Sequence, residues 1–443
     1  MKFSIKIFST VSVFTMILLH ISAFAQKIQY FRPDNKDGIN MFETTKKDTV
    51  QFTSLKVKVG GNFTQDFQML RDENNATPAI KNGVDMNQLM KLTNGFNLAM
   101  ANLNVDVQLS DGIRLNLTTY LSTRHHQDTW VKGGYIQFDK LLFLKSPVID
   151  KLMNYLTIKI GDFDVDYGDA HFRRTDGGNS IYNPFVENYI MDAFATEIGG
   201  EIYYHSNGGL LVMAGITDGQ LNPTVTAPAN TDAATGKTNR YLPAFHGKLG
   251  FDKQFTPDLR FRITGSFYTN KSNSSNTLYW GDRTGSHYFL VMENTTADAA
   301  NNAWSGRFNP MFSEQVNAYS VNPFLKYSGL EFFGTAEIAN GRTISETSLR
   351  RATQLAGEII YRFPPGKENF WIGGRYNTVR AALPGYSNDV NINRVTGSAG
   401  WFLTKNVMLK AEYVNQAYKD FPISNIRSGG KFSGEMVEAS VGF

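Results

Sequence analysis

Between residues 162 and 187 the chain sets out a dense row of groups that could do chemistry: Asp162, Asp164, Asp166 and Asp169, then His171, Arg173, Arg174, Asp176 and Glu187. Alternating carboxylates suggest calcium, but the EF-hand pattern needs glycine at its sixth place and a bidentate glutamate at its twelfth. Counted from Asp162, those places hold Tyr167 and Arg173. What stays open is a calcium loop of another kind, a set of ion pairs that pins a loop, or a row of fixed charges that sets ion preference in a narrow aqueous path. Hydrolytic pairs can be drawn from His171 with Asp169 or His205 with Ser206, yet neither lies in a nucleophile-elbow motif. In Arg124-His125-His126 the neighbouring imidazoles point to opposite faces of a strand, so the segment reads as a solvated loop rather than a metal site. No glycine-rich phosphate loop opens a helix. The expectation is a protein that is not an enzyme and holds no metal or cofactor.

Cysteine is absent, which removes disulfides, thiolate metal sites and a cysteine nucleophile together. Lys2 and Lys6 precede an apolar run from Ile7 to Phe24, and Ala23-Phe24-Ala25 has the small, large, small pattern of a signal-peptidase site. Residues 1–25 therefore read as an export signal, with an uncleaved anchor as the competing reading. Without those two lysines the net charge of +4 falls to +2, too little to argue for nucleic acid.

The elements that position these groups are strands. Ile113, Leu115, Leu117, Thr119 and Leu121 alternate with Arg114, Asn116, Thr118, Tyr120 and Ser122, and Phe261, Ile263, Gly265 and Phe267 alternate with Arg260, Arg262, Thr264 and Ser266. Leu156, Ile158 and Ile160 against Thr157 and Lys159 repeat the pattern. Segments of about ten alternating residues suit strands that cross a membrane in a barrel, apolar outside and polar inside. A soluble sandwich alternates too. Connections, however, also alternate in length. Tight links fall at 110–112, 207–209, 256–258, 328–329, 364–367 and 404–406, and long polar stretches near 71–92, 163–192, 218–240, 271–315, 384–391 and 419–431.

With the first strand near Leu55, this gives an all-β, antiparallel transmembrane barrel over 55–443, with about sixteen strands and about eighteen as the runner-up, short periplasmic turns and long external loops. The count stays even if the apolar stretch His287–Glu293 lies inside a large external loop, as a hairpin. Residues 26–54 do not alternate and are expected in the periplasm or tucked into the barrel mouth. Trp130, Tyr155, Tyr268, Trp371, Trp401 and Tyr413, near strand ends, suit interfacial girdles.

The chain ends on Val437, Ala439, Val441 and Phe443 at a period of two. With that terminal phenylalanine it resembles outer-membrane porins, in particular the porin-like barrels of the Bacteroidota. The specific patches are Tyr30-Phe31-Arg32-Pro33-Asp34 with Asp37 to Glu43, similar to the segment that opens such barrels, and Gly161-Asp162-Phe163 through Asn183-Pro184-Phe185, similar to their third external loop. A more distant similarity is to phosphate-selective O/P-type porins, whose basic pore positions cannot be matched here one by one. The resemblance implies a homotrimer in outer-membrane lipid, Phe443 as the signal read by the barrel assembly machinery, and passive passage of small hydrophilic solutes or ions. It also implies a third loop folded into the lumen, with Asp164, Asp166, Asp169, His171, Arg173 and Arg174 at a constriction. The wall facing them would include Arg114, Lys159, Arg260, Arg262, Glu337, Glu358 and Arg375, a mixed set that favours weak ion selectivity or a split between positive and negative walls. The alternative is a non-conducting barrel that acts as a structural or adhesion platform, with loop 271–315 and its Trp280 and Trp304 as the contact surface.

Overall fold

A computed structural model describes residues 27–443; the expected export signal lies outside the described residues. Sixteen long strands form one antiparallel sheet: β1 (Lys56–Glu73), β2 (Met100–Ser110), β3 (Ile113–Ser122), β4 (Trp130–Phe138), β5 (Leu156–Asp164), β6 (Thr196–His205), β7 (Leu210–Thr217), β8 (Ala244–Gln254), β9 (Leu259–Asn270), β10 (Gln315–Tyr327), β11 (Leu330–Arg342), β12 (Arg350–Phe363), β13 (Phe370–Ala381), β14 (Val390–Thr404), β15 (Val407–Lys419) and β16 (Lys431–Gly442). The two-residue segment Gly95–Phe96 adds a short bridge onto β1. The sheet closes where β1 pairs with β16, from Asn62↔Gly442 to Glu73↔Lys431. β1 meets β2 over its first half, Lys56 to Thr64, and β16 over its second. That offset is the stagger tilted strands need in order to close. Beyond β16, the Phe443 N–H donates to the Gly61 carbonyl (3.0 Å), and the Phe443 carbonyl accepts the return bond from the Gly61 N–H (3.1 Å).

The period of two decides what faces lipid. Leu117, Ile160, Ile263, Leu355, Val395 and Val437 are exposed on the outside, while Arg262, Arg394, Lys410 and Glu438 are buried inside. Among the described residues no helix is long and apolar enough to cross a membrane; the crossing is made by strands, each paired to a neighbour on both sides within the closed sheet. Strand parity corrects two of the expected girdle residues. Trp401 and Tyr413 are exposed, but Tyr268 and Trp371 are buried in the barrel. Tyr268 follows outward-facing Phe267, and Trp371 lies between outward-facing Phe370 and Ile372. Inside, the Tyr268 hydroxyl donates to Glu197 (2.7 Å) and Trp371 Nε1–H to the Pro184 carbonyl (3.2 Å).

Six connections at one end are tight turns, as the turn residues predict. A seventh, residues 139–155, carries a 3-10 turn and a short helix, α1 (Pro147–Met153), whose Ser146 cap accepts the Ile149 N–H with proline at the first helical position. Long loops, 74–99, 165–195, 218–243 and 271–314, gather at the other end. His287–Glu293 lies in loop 271–314, so the even count holds. It forms turns rather than a hairpin, with Leu89↔Asn294 as an isolated bridge.

Most of the lumen is filled. Loops 165–195 and 271–314 enter it, and their Val186, Ile190, Met191, Tyr288 and Val291 pack on inward-facing Val316, Val414, Phe432 and Met436. The inner face thus includes an apolar patch where a polar wall is predicted. At the turn end residues 27–55 occupy the mouth: Gln29 N–H donates to Gln108 (2.8 Å), Asn40 Nδ2 to Glu331 (2.6 Å) and Lys46 Nζ to Asp139 (3.1 Å).

The lipid-facing assignment has a direct test. Leu355, mid-strand in β12 and 57% exposed, faces hydrocarbon. Leu355→Arg is expected to lower the unfolding free energy in vesicles by about 2–4 kcal/mol, read by denaturant titration of the folded barrel.

Candidate functional site

Loop 165–195 leaves β5 at Asp164, crosses the lumen and rejoins the wall at Thr196 in β6. Side chains of the far wall read its backbone. Val186 N–H donates to Glu412 (2.8 Å), Ile190 N–H to Asn377 (2.7 Å) and Met191 N–H to Gln354 (2.9 Å). In return Lys410 Nζ donates to the carbonyls of Asn183 (2.9 Å) and Phe185 (2.8 Å), and Arg375 to that of Glu187 (2.7 Å). Each buried wall charge gains the partner that dry surroundings demand.

The acidic loop residues and the basic wall are in contact rather than facing each other across water. Asp169 bonds Arg262 (2.7 Å) and Lys248 (2.9 Å), and Asp166 also bonds Lys248. Glu43, from the segment in the mouth, completes the group at 2.7 Å from Arg262. Burial opposes its charged form, but Arg262 and Lys248 outweigh it and hold the Glu43 carboxyl down at about 2. Arg173 turns away from the aspartates, toward Glu331 and Glu358 (both 3.6 Å) and the Asn40 side-chain oxygen. Glu358 is also held by Arg375 (2.8 Å), and Glu337 accepts the hydroxyls of Tyr167 (3.0 Å) and Tyr279 (2.8 Å). Arg260 pairs with Asp252 (2.6 Å). Arg174 lies near Asp176 (3.3 Å) and pairs with Asp192.

His171 sits between Asp164 (3.0 Å) and Asp166 (2.8 Å). Burial works against a charged ring, but the two carboxylates prevail and raise its pKa to about 9. Asp164 and Asp166 therefore have cationic partners from the chain itself. His205 and Ser206 do not form a catalytic pair: Ser206 Oγ accepts the Leu210 N–H (2.9 Å) to close a turn. His125 stacks on Trp130 at 4.4 Å. Among the described residues the one carboxylate–histidine group close enough to hold an ion is Asp66, His287 and Glu438. There Lys410 Nζ, 2.7 Å from Glu438, already supplies positive charge.

Open, polar-lined space remains on the other side of the loop. A cavity of about 290 Å³ runs along the wall of β2 to β6, from Thr118, Arg174 and Asp176 toward Gln137, Thr157 and His205 near the turn end. Its wall includes the amides of Asn102, Asn104 and Asn116. The charged side chains along it are unequally presented. Arg114 is tied to Asp106 (3.1 Å) and 6% exposed, Lys159 is near Glu201 (3.5 Å) and 14% exposed, and Arg174 is 4% exposed, whereas Asp164 and Asp176 show 34% and 31% of their side chains. Burial, then the repulsion of Asp282, push the Asp176 carboxyl up to about 6, against the pull of Lys132 and Arg174. The segment 27–55 contributes Asp34, which burial raises to about 6 against the pull of Lys58, and Arg32, which donates to the Phe172 carbonyl (2.9 Å) and lies over the Tyr182 ring. Sequence reasoning did not place these two residues at the site. The signal for them was a non-alternating stretch, rich in aromatic and charged residues, ahead of the first strand.

No protein-family model matches the chain, and no curated protein matches it by sequence. Solved structures do match in shape. An anion-selective porin from Comamonas acidovorans is 9% identical, with 88% of this chain and 100% of that one covered at a TM-score of 0.51. The outer membrane channel DcaP of Acinetobacter baumannii is 11% identical over 88% and 98% of the two chains, at a TM-score of 0.49. OmpT, an outer membrane protein of Vibrio cholerae, is 11% identical over 89% and 99%, also at 0.49. The likeness to the Comamonas porin, together with the closed sheet and its apolar belt, shows the fold: a closed, antiparallel, porin-like β-barrel.

Proposed function

We propose that the protein is an outer-membrane porin that lets small hydrophilic solutes or ions diffuse passively along the β2–β6 wall. The observation that carries this reading is the polar cavity left between loop 165–195 and that wall, while the apolar packing of the two loops fills much of the opposite side. Water-facing carboxylates and pinned, buried cations give the path a cation preference. The reaction class is transport without a cofactor. The expected signal at 1–25 and Phe443 support delivery through the barrel assembly machinery, and three copies in the membrane, in the manner of the Bacteroidota barrels the sequence resembles, form the working unit. The competing reading, a non-conducting platform, draws on how little of the lumen is open.

Single-channel recording in a planar bilayer under a salt gradient separates the two. Stepwise conductance in groups of three supports the trimeric porin; a folded barrel that passes no current sinks it. Because a carboxylate ~7 Å from a permeating ion contributes about 1 kcal/mol at an effective dielectric near ~50, Asp164→Asn with Asp176→Asn should cut the cation-to-anion permeability ratio by roughly fivefold or more.

A second prediction follows from His171. Its raised pKa means that its pairing with Asp164 and Asp166 stabilises the loop fully below pH 6.5 and is lost as pH rises through about 9. Current noise should therefore grow between pH 8 and pH 10, judged against the ordinary pKa range. His171→Gln should show that noise at neutral pH and no further pH response; a variant as quiet as the parent would remove His171 from the loop's anchorage.

A further inference from the structure

A second cavity, of about 510 Å³, opens at the loop end, outside the path just described, between loop 271–314 and the loops after β13 and β15. Its size is that of a site for a small ligand, which typically spans roughly 300–1,000 Å³. Two kinds of group line it. Trp280 (49% exposed), Tyr386 and Phe421 present aromatic surface. Arg307 and Arg427 present guanidinium donors to it; Arg427 is half-buried and reaches water, whereas one Arg307 donor is buried and unpaired. Arg307 is 6% exposed; its Nε and Nη2 are used on Glu187, but Nη1 makes no hydrogen bond and lies 3.7 Å from Asp192. The Arg427 guanidinium has no hydrogen-bonded or ion-paired partner among the described residues, although its backbone N–H is satisfied by Asn425.

A buried donor left unpaired costs free energy that a ligand acceptor recovers. The occupant must therefore offer oxygen acceptors along its edge and an apolar face to the rings. An anion meets one requirement, but Asp192 and Glu293 share the lining and repel it. A purely apolar ligand leaves the buried Arg307 Nη1 unmet and gives Arg427 nothing to bond. A pyranose ring has C–H groups on its face and hydroxyls around its rim, and it satisfies both.

We propose that this loop-end cavity is a binding site for a neutral carbohydrate, stacked on Trp280 and hydrogen-bonded through Arg307 and Arg427. The site does not depend on conduction, because it lies in the external loops and binding there is measured without current.

The test is isothermal titration of the detergent-folded, full-length barrel with cellotriose and maltotriose, with sorbitol as a hydroxyl-matched compound lacking a ring and trigalacturonate as the charged counterpart. Saturable heat with at least one neutral trisaccharide, none with sorbitol and weaker binding of trigalacturonate are expected. Loss of one aromatic stack should weaken binding by about tenfold in Trp280→Ala, with a similar loss in Arg427→Ala. Both residues lie in loops, and heat-modifiable mobility verifies that each variant is folded. No saturable heat with either neutral sugar, binding unchanged in both folded variants, or tighter binding of trigalacturonate than of the neutral sugars would overturn the proposal.

Discussion

The structure depends on the need to pair charges that point into a space with little water. Strands β8 to β16 direct Lys248, Arg262, Arg375, Arg394 and Lys410 inward, together with Glu331, Glu337, Glu358 and Glu412. A buried charge without a partner destabilises by several kcal/mol, more than any single contact elsewhere in the barrel returns. Loop 165–195 resolves this with its backbone: its carbonyls accept from the cations, and its N–H groups and tyrosine hydroxyls donate to the carboxylates. The loop is thus a structural part of the barrel, since withdrawing it would remove hydrogen-bond partners from both sets of charges at once.

The same requirement divides the lumen. On the β2 to β6 side the inward residues are mainly amides and hydroxyls, Asn102, Asn104, Asn116 and Thr118, which water satisfies at little cost. The cations there are tied down within the wall, Arg114 to its cross-strand neighbourhood at Asp106 and Lys159 to Glu201, its register partner on β6. Carboxylates of the loop are left to meet the water. A dry half whose charges are paired and a wet half with exposed aspartates arise from one sequence of strands because their inward residues differ in what they need.

Much of this was legible in the sequence. The period of two placed Arg114, Lys159, Arg260 and Arg262 inside, turn residues marked six tight links, and parity kept His287–Glu293 out of the strand count. What was not legible depends on contacts far apart in the chain. Arg262 meets Glu43 across 219 residues, and no local pattern announces such a pair. Arg173 follows the aspartates in sequence but reaches Glu331 and Glu358 on the far wall, because a 3-10 turn at Ala170–Phe172 redirects the chain. Trp371 and Tyr268 were misjudged for a simpler reason. Near a strand end, an aromatic residue suits either a girdle or a packed lumen, and only its parity with the neighbouring residues separates the two.

The seam where the barrel closes shows how far the pairing rule extends. In the register of β1 on β16, Asp66 stands directly opposite Glu438, and both face inward and are fully buried. Two like charges across a strand pair oppose closure. The compensation comes from elsewhere: Lys410 on β15 lies 2.7 Å from Glu438, and His287 of loop 271–314 lies 2.5 Å from Asp66 and 3.6 Å from Glu438. Burial disfavours the charged imidazole, but Asp66 and Glu438 raise its pKa to about 9, so it is cationic at neutral pH. The first and last strands therefore meet over a charge pair that a loop neutralises. Closing the sheet and docking loop 271–314 are coupled steps, and the loop that carries the aromatic cavity outside also stabilises the seam within.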